Sequence, residues 1–256
     1  MDYSIVPFSI LGISLLVAIF VAMEIGRWSG SRISQQGPER ATGIVDGAVF
    51  GLMGLLIAFS FSGAASRFDA RRQLIVQESN RIETAYLRIN LLPADFQPLL
   101  RQKFRDYVDA RLAAHRKHPD LTLTAVELRQ VEALQREIWA NAVAGCQKTS
   151  SPAVMTLVLG AVNEMIDMAT TRTEGTRIHP PAVVPVMLIV LVFACSLLAG
   201  SLMAANKTRN WVHVLSFAIM LSFTVLVILD LEYPRVGLIR IDIWDRVLLE
   251  LRARMG

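Results

Sequence analysis

The placement of long apolar segments constrains this chain more than any other feature of its sequence. Two such segments lie near the front and two near the back: Ile5–Met23, Gly47–Ser66, Pro181–Asn206 and Val214–Leu229. None of them contains a charged residue. Each is close to the ~20 residues that a helix needs to cross ~30 Å of hydrocarbon. The sequence therefore predicts a membrane protein with four transmembrane helices, two before and two after a large polar block.

Composition agrees with a chain that is part membrane and part soluble. Hydrophobic residues make up 53% and charged residues 19% of the 256 residues, with a net charge of +4. Basic and acidic residues alternate in the polar block without a basic stripe, so no nucleic-acid partner is expected. Among the two cysteines and four histidines, only His115 and His118 have the spacing of metal ligands, at i,i+3, and a helix C-terminal cap is the simpler interpretation of that pair. No metal site and no cofactor is predicted. No nucleophile elbow, phosphate loop or dinucleotide fingerprint is present, which argues against an enzyme.

The distribution of basic residues predicts how the chain is oriented. With four crossings, both termini and the polar block share one side of the membrane. The basic residues near the membrane on that side are Arg67, Arg71, Arg72, Arg172, Arg177, Arg235, Arg240 and Arg246. Those of the opposite loops are Arg27, Arg32, Arg40, Lys207 and Arg209. The larger number places the polar block and both termini in the cytoplasm by the positive-inside tendency.

These patterns divide the chain into four parts. Residues 1–66 hold transmembrane helices one and two, 67–180 a cytoplasmic helical domain, 181–231 helices three and four, and 232–256 a cytoplasmic tail. The cytoplasmic domain shows helical periodicity and no strand-like alternation, so the predicted fold class is all-α. Its third helix is predicted to start at a Thr124-x-x-Glu127 capping box. Its fourth is predicted to start at Ser151-Pro152.

The second apolar segment carries the most informative pattern. Gly43, Gly47 and Gly51 repeat at a spacing of four, which lets helix backbones approach closely in lipid. The same stripe continues to Leu55 and Phe59. If several copies of this helix surround an axis, these large apolar side chains form a constriction that gates by dewetting. The alternative is ordinary packing of this helix against another helix of the same chain.

Charged residues flank this segment at both ends. Asp46 lies near its start, where a carboxylate either enriches cations at a pore mouth or complements the helix dipole. Arg67 and Arg71 follow its end. They either form a ring of charge at the inner vestibule or supply ordinary positive-inside charge. Pairing of Asp69 with Arg72 along the helix belongs to the second interpretation.

Two further groups of carboxylates have a structural and a functional interpretation. Glu164 and Asp167 share a helix face, where they either bind a cation or pair with the arginines of the domain. The segment Asp230–Asp242 places carboxylates at the membrane boundary, with Arg235 and Arg240 as the nearest basic residues. A charge at that boundary must be paired or solvated. A lock between helix four and the cytoplasmic domain is therefore expected, and a role in an ion path is the functional alternative.

Several of these stretches resemble a known family. The run Leu55-Leu-Ile-Ala-Phe-Ser-Phe-Ser-Gly-Ala-Ala-Ser-Arg-Phe-Asp-Ala-Arg-Arg72, followed by Asn80-Arg81, resembles the second membrane helix of bacterial bestrophins. Over nearly its full length, the chain resembles a bacterial membrane-protein family described as bestrophin-like. Asn163–Arg172 and Leu229–Asp242 are the stretches that carry this closer resemblance.

The resemblance implies a homopentameric ion channel in the bacterial inner membrane, whose second helices line the pore. Carried over by position, Leu55 and Phe59 are neck residues, with Ile57 and Phe61 as alternatives in register. The partners implied are the lipid bilayer, further copies of the chain and small inorganic ions. The competing hypothesis is a non-conducting scaffold or sensor whose cytoplasmic helices bind a protein partner.

The chain departs from animal bestrophins in one respect that matters for regulation. Those proteins carry consecutive acidic residues after the fourth helix, which bind calcium. Here Asp242 and Asp245 are separated by Ile-Trp. Calcium activation is therefore not predicted.

Overall fold

The chain is all-helical, which confirms the predicted fold class. The computed structural model describes residues 8–33, 43–117, 121–204, 210–234, 238–239 and 245–256, and no strand occurs among them. Its helices are α1 (Phe8–Ile33), α2 (Gly43–Arg88), α3 (Gln97–Lys117), α4 (Leu121–Thr149), α5 (Pro152–Gly175), α6 (Val183–Met203), α7 (Trp211–Glu232) and α8 (Arg246–Arg254). A 3-10 turn, Ile89–Leu91, follows α2.

Helix ends show where local sequence signals work and where they fail. At the start of α5, the Ser151 hydroxyl accepts a hydrogen bond from the Val154 backbone N–H, and Pro152 occupies the first helical position. This confirms the predicted start. The helix start predicted from the Thr124 capping box is wrong, because α4 begins at Leu121 and Thr124 lies inside it. α1 continues to Ile33, ten residues beyond the end of its predicted apolar run.

Among the described residues, five helices are long and apolar enough to cross a membrane: α1, α2, α5, α6 and α7. Four of them carry the predicted apolar segments. The additional one, α5, has the lowest mean hydropathy of the five, 1.3 against at least 2.1 for the others. The number of helices that actually cross therefore stays a prediction.

The chain forms two compact units, and the boundary between them falls within α2, after Arg67. Unit 1 comprises Met1–Arg67 and His179–Leu238, and unit 2 comprises Phe68–Ile178 and Ile239–Gly256. Unit 1 thus holds three complete apolar helices and the first half of α2. Unit 2 holds the rest of α2, the helices α3 to α5, and the C-terminal helix α8. The predicted division between membrane and cytoplasm is a separate statement and stays a prediction.

In unit 1, α1 and α6 pack backbone against backbone. A Cβ atom built on Gly26 would overlap the Leu197 carbonyl, and one built on Gly200 would overlap the Met23 carbonyl. One turn further along, a Cβ on Gly30 would lie 2.7 Å from the Ser201 carbonyl oxygen. Only glycine allows this approach. In lipid, close van der Waals packing replaces the hydrophobic effect as the force that joins helices.

Pairs of contacts give the directions of the helices in unit 1. Residue numbers rise together along α1 and α6, from Gly26–Leu197 to Gly30–Ser201, so these helices are parallel. They run in opposite order along α1 and α7. There the Ser222 hydroxyl donates to the Gly12 carbonyl, whereas the later residue Phe20 stacks on the earlier residue Trp211. α1 and α7 are therefore antiparallel.

The first half of α2 runs in the same direction as α7. Phe50 contacts Phe217 near the start of both helices, and Arg67 contacts Glu232 near the end of both. The start of α1, the residue Arg67, the start of α6 and the end of α7 therefore lie at one end of unit 1. This is the arrangement that a two-plus-two topology requires.

The core of unit 2 combines apolar side chains from all of its helices. Its members include Ile82, Phe104, Tyr107, Ile138, Met165, Leu248 and Leu251. The last two come from α8, and the Tyr86 hydroxyl donates to the Met255 carbonyl just beyond that helix, at 3.1 Å. The C-terminal segment is thus part of this core.

A buried network of ion pairs lies within unit 2. Glu78 of α2 is fully buried and pairs with Arg111 of α3, at 2.6 Å, and with Arg172 of α5. Arg172 also pairs with Asp245, at 2.8 Å. Burial pushes the pKa of Glu78 upward, but the two guanidinium groups outweigh it, and the net effect lowers that pKa. Nearby, burial raises the pKa of Tyr107 to about 12.

Replacing Gly26 or Gly200 with alanine should destabilise unit 1, because the added methyl group meets backbone that cannot move aside. The expected cost is about 1–3 kcal/mol of unfolding free energy, as for overpacked cores. Thermal unfolding in detergent measures it. Gly160→Ala is the matched control, because a Cβ there meets nothing within 4 Å. Equal melting temperatures for all three variants would contradict this account of the contact between α1 and α6.

Replacing Glu78 with alanine should destabilise unit 2, because two guanidinium groups lose the carboxylate that neutralises them. Breaking a buried pair in this way costs about 3–5 kcal/mol. The pH dependence follows from the lowered pKa of Glu78. Its contribution to stability is complete above the ordinary pKa of a glutamate side chain and is lost as the pH falls through the lower pKa of the folded state. Acid titration of stability checks the sign, and the alanine variant should lack this component.

Candidate pore helix and its charged flanks

α2 is the least covered of the four helices that carry the predicted apolar segments. In its most apolar stretch of 18 residues, only 6% is buried within the chain, against 22% in the corresponding stretch of α1 and 33% in those of α6 and α7. In water, a helix with so many exposed apolar side chains would aggregate or find a partner. In a membrane protein, these side chains face lipid, another copy of the chain, or a pore.

The predicted neck residues lie on the uncovered surface of α2. The exposed fractions of Leu55, Phe59 and Phe61 are 52%, 67% and 45%. Ile57 is partly buried. Within one chain, therefore, Leu55 and Phe59 do not fill the interior of unit 1. Their exposure argues against the alternative interpretation, in which this helix simply packs against another helix of the same chain.

The predicted packing glycines of α2 contact nothing within the chain. Cβ atoms built on Gly43, Gly47 and Gly51 would meet no atom within 4 Å. Their role as packing residues stays a prediction, and it concerns contacts between copies. Among the described glycines, close approaches to another helix backbone occur instead in α1 and α6, at Gly26, Gly30 and Gly200. The sequence does contain a small-xxx-small pattern at the Gly26 contact, namely Gly26-x-x-x-Gly30. This pattern lies beyond the apolar run that ends at Met23.

Near its start, α2 contacts α6 and α7 through a few residues. The Cys195 thiol donates to the Val49 carbonyl at 3.8 Å, and Phe50 meets Phe217 edge to face with ring centroids 6.4 Å apart. Asp46 lies in the first turn of the helix and is partly buried. A carboxylate at that position complements the helix dipole. Its predicted role at a pore mouth stays untested.

At the end of unit 1, Arg67 contacts a buried carboxylate. Its Nε and Nη2 atoms lie 2.9 Å and 2.7 Å from Oε2 of Glu232, the last residue of α7. The other carboxylate oxygen, Oε1, lies 3.0 Å from Nδ1 of His179. The His179 ring also stacks on Tyr233, with centroids 5.0 Å apart. Arg235 and Arg240, the basic residues nearest to Glu232 in the sequence, both lie outside the described residues.

The remaining charges on α2 are largely engaged within unit 2. Arg71 is buried and donates to the Ile178 carbonyl at 2.8 Å. Asp69 and Arg72 pair along the helix at 3.0 Å, as the sequence suggested. Arg81 pairs with Glu164 of α5. Of the two interpretations of Glu164, this ion pair favours pairing with an arginine over a cation site.

The acidic face of α5 holds no metal-binding group in the described part of the chain. Asn163 donates to Asp167 at 2.9 Å, one turn away. No group of three histidine, cysteine or acidic side chains among the described residues could hold a metal ion. The two cysteines, Cys146 and Cys195, are both buried and unbonded to each other.

The fold matches that of solved proteins over almost its whole length. A crystal structure of a bacterial bestrophin homologue from Klebsiella pneumoniae, carrying a point mutation, has a TM-score of 0.71 at 14% identity, and the match covers 95% of this chain and 98% of that one. Another crystal structure of the homologue has a TM-score of 0.68 at 16% identity, with 94% and 98% covered. No curated protein sequence matches the chain.

At the level of sequence families, residues 11–242 match the bestrophin-like domain. The match includes all four predicted apolar segments except the first six residues of the first one. It also includes the uncovered surface of α2 and the pair formed by Arg67 and Glu232. The chain therefore belongs to the bestrophin-like family.

Proposed function

We propose that copies of this chain assemble around α2 into an ion channel, with five copies in the ring. The observation that carries the proposal is the exposure of large apolar side chains on the most apolar stretch of α2, which the rest of its own chain leaves almost uncovered. In a ring, this surface faces the axis and the neighbouring copies. Membership of the bestrophin-like family supports a channel over an enzyme.

The neck of the pore is formed by Leu55 and Phe59, with Ile57 and Phe61 as alternatives in register. Rings of such side chains narrow the path and exclude water when they approach closely, so that ions cannot pass. Rotation or outward movement of α2 would wet the neck. The exposed fraction of Phe59, 67%, is the largest among these four residues, and Phe59 is therefore the residue to test.

Four helices cross the membrane in this proposal, namely α1, α2, α6 and α7. α5 stays outside, because its Glu164 pairs with Arg81 and its Arg172 belongs to the buried network of unit 2. The protein lies in the bacterial inner membrane with both termini in the cytoplasm. Asp46 flanks the outer mouth, and Arg67 and Arg71 flank the inner vestibule.

Replacing Phe59 with alanine should raise resting ion flux through protein reconstituted in liposomes, because the neck becomes wider and easier to wet. Flux is measured under opposed sodium, potassium and chloride gradients. Phe223→Ala on α7 is the matched control, since its exposed fraction of 61% is similar and no pore role is assigned to it. We expect a change of about tenfold for Phe59→Ala, equivalent to ~1.4 kcal/mol in the barrier, and none for Phe223→Ala.

The same experiment separates the channel from a scaffold. Absence of flux from both wild type and Phe59→Ala, in protein that is folded and oligomeric, would reject the pore and favour a non-conducting scaffold or sensor. Equal increases for Phe59→Ala and Phe223→Ala would indicate leaky liposomes or damaged packing rather than a neck.

Replacing Gly51 with leucine should weaken assembly, because the predicted close packing of α2 between copies requires a small residue there. Within one chain, a Cβ at Gly51 meets nothing within 4 Å. A loss of assembly therefore does not arise from a clash at Cβ inside the protomer. Native mass spectrometry should show a smaller fraction of the largest assembly, with protomer stability retained. An unchanged distribution would place the glycine stripe away from the contacts between copies.

A further inference from the structure

At the end of unit 1 where α7 ends, which we call its inner end, an ion pair joins α2 to α7. Three residues form this contact, which we name the carboxylate clasp: Arg67, His179 and Glu232. They come from the end of the membrane part of α2, from the residues just before α6, and from the last turn of α7. The clasp therefore joins the ends of three of the four apolar helices at one level of unit 1.

Both oxygens of the Glu232 carboxylate are used in the clasp. Two nitrogen atoms of Arg67 lie within 2.9 Å of Oε2, and Nδ1 of His179 lies 3.0 Å from Oε1. The exposed fraction of the Glu232 side chain is only 6%, against 28% for Arg67 and 36% for His179. Glu232 is thus the shielded centre of the contact, and its two partners are reached by water.

Arg67 is placed by the helix that also carries the neck. It follows Phe59 by eight residues, which is about 12 Å along an α-helix at ~1.5 Å per residue. Its guanidinium folds back over Gly63, where a Cβ atom would lie 3.2 Å from Nη1. A side chain in this arrangement resists both rotation and axial movement of the helix, since either movement separates the guanidinium from the carboxylate.

The geometry points to Glu232 as a positioning residue that holds the inner end of α2 through Arg67 and thereby controls the opening of the neck. This inference rests on the proposed channel function. The most apolar stretch of α2 has little cover within its own chain, so the ion pair at the end of that stretch contributes to holding it in position. Hydrogen bonds to charged groups are stronger than neutral ones, particularly where one partner is shielded from water.

A double-mutant cycle tests the inference. Glu232→Gln keeps the shape of the side chain and removes its charge, and Arg67→Gln removes the charge on the other side. Each single variant should change open probability in planar bilayers by about threefold or more, and the double variant should change it no further than the larger single effect. Non-additivity of this kind is expected only if the two residues act through each other.

Glu174→Gln is the matched control. Glu174 pairs with Arg177 at 2.9 Å, but this pair lies along one chain segment and both side chains are more than half exposed. Its removal should leave open probability unchanged. Thermal unfolding and native mass spectrometry, applied to every variant, establish that the protein compared is folded and assembled.

Three outcomes would overturn the role of the clasp. Folded variants with wild-type open probability, whatever their melting temperature, would make the contact structural only. Additive effects of Glu232→Gln and Arg67→Gln would show that the two residues act separately. An effect of Glu174→Gln equal to that of Glu232→Gln would show a general response to lost charge. Failure of the pore itself looks different, because wild type and Phe59→Ala would then both lack flux.

Discussion

Hydrocarbon provides no hydrogen-bond partner for a peptide group, and this constraint underlies the architecture of the chain. A segment that crosses a bilayer must satisfy its own backbone, which leaves the α-helix as the solution for a single uninterrupted segment. Four segments without a charged residue therefore become helices whatever their neighbours are. The same constraint places charged residues at the segment ends, where Arg67, His179 and Glu232 gather in unit 1.

Helices in lipid gain little from burying apolar surface, so their packing depends on how closely their backbones approach. α1 and α6 use this means, with glycine at the points of contact. α2 has similar glycines on a surface that meets nothing within the chain. The contrast divides unit 1 into a packed part and a helix whose apolar surface is left for other contacts, which is the condition for building a pore by assembly.

Unit 2 is stabilised in a different way, by an apolar core that also contains paired charges. Its apolar side chains form one core, and the charges that enter this core are paired. Glu78 brings together arginines from two other helices, and Asp245 extends the network to the C-terminal segment. Removing one partner from such a network leaves an uncompensated buried charge, and for this reason the loss exceeds the net contribution of the intact pair.

The sequence by itself determined the helical class, the order of the apolar segments and the start of α5. These features depend on local composition and spacing, as Ser151-Pro152 shows. Where local signals compete, the sequence was ambiguous: Thr124 has a capping pattern but lies inside α4. The resemblance carried by Asn163–Arg172 and Leu229–Asp242 indicated the bestrophin-like family, which the match over residues 11–242 then established.

Only the tertiary structure decided which residues meet across long separations. Glu232 pairs with Arg67 and His179, and Glu78 pairs with Arg111 and Arg172. The structure also showed that the glycines of α1 and α6, rather than those of α2, pack within the chain. Spacing along a helix tells which residues share a face. It does not tell which other helix that face meets, because that choice depends on packing of the whole chain.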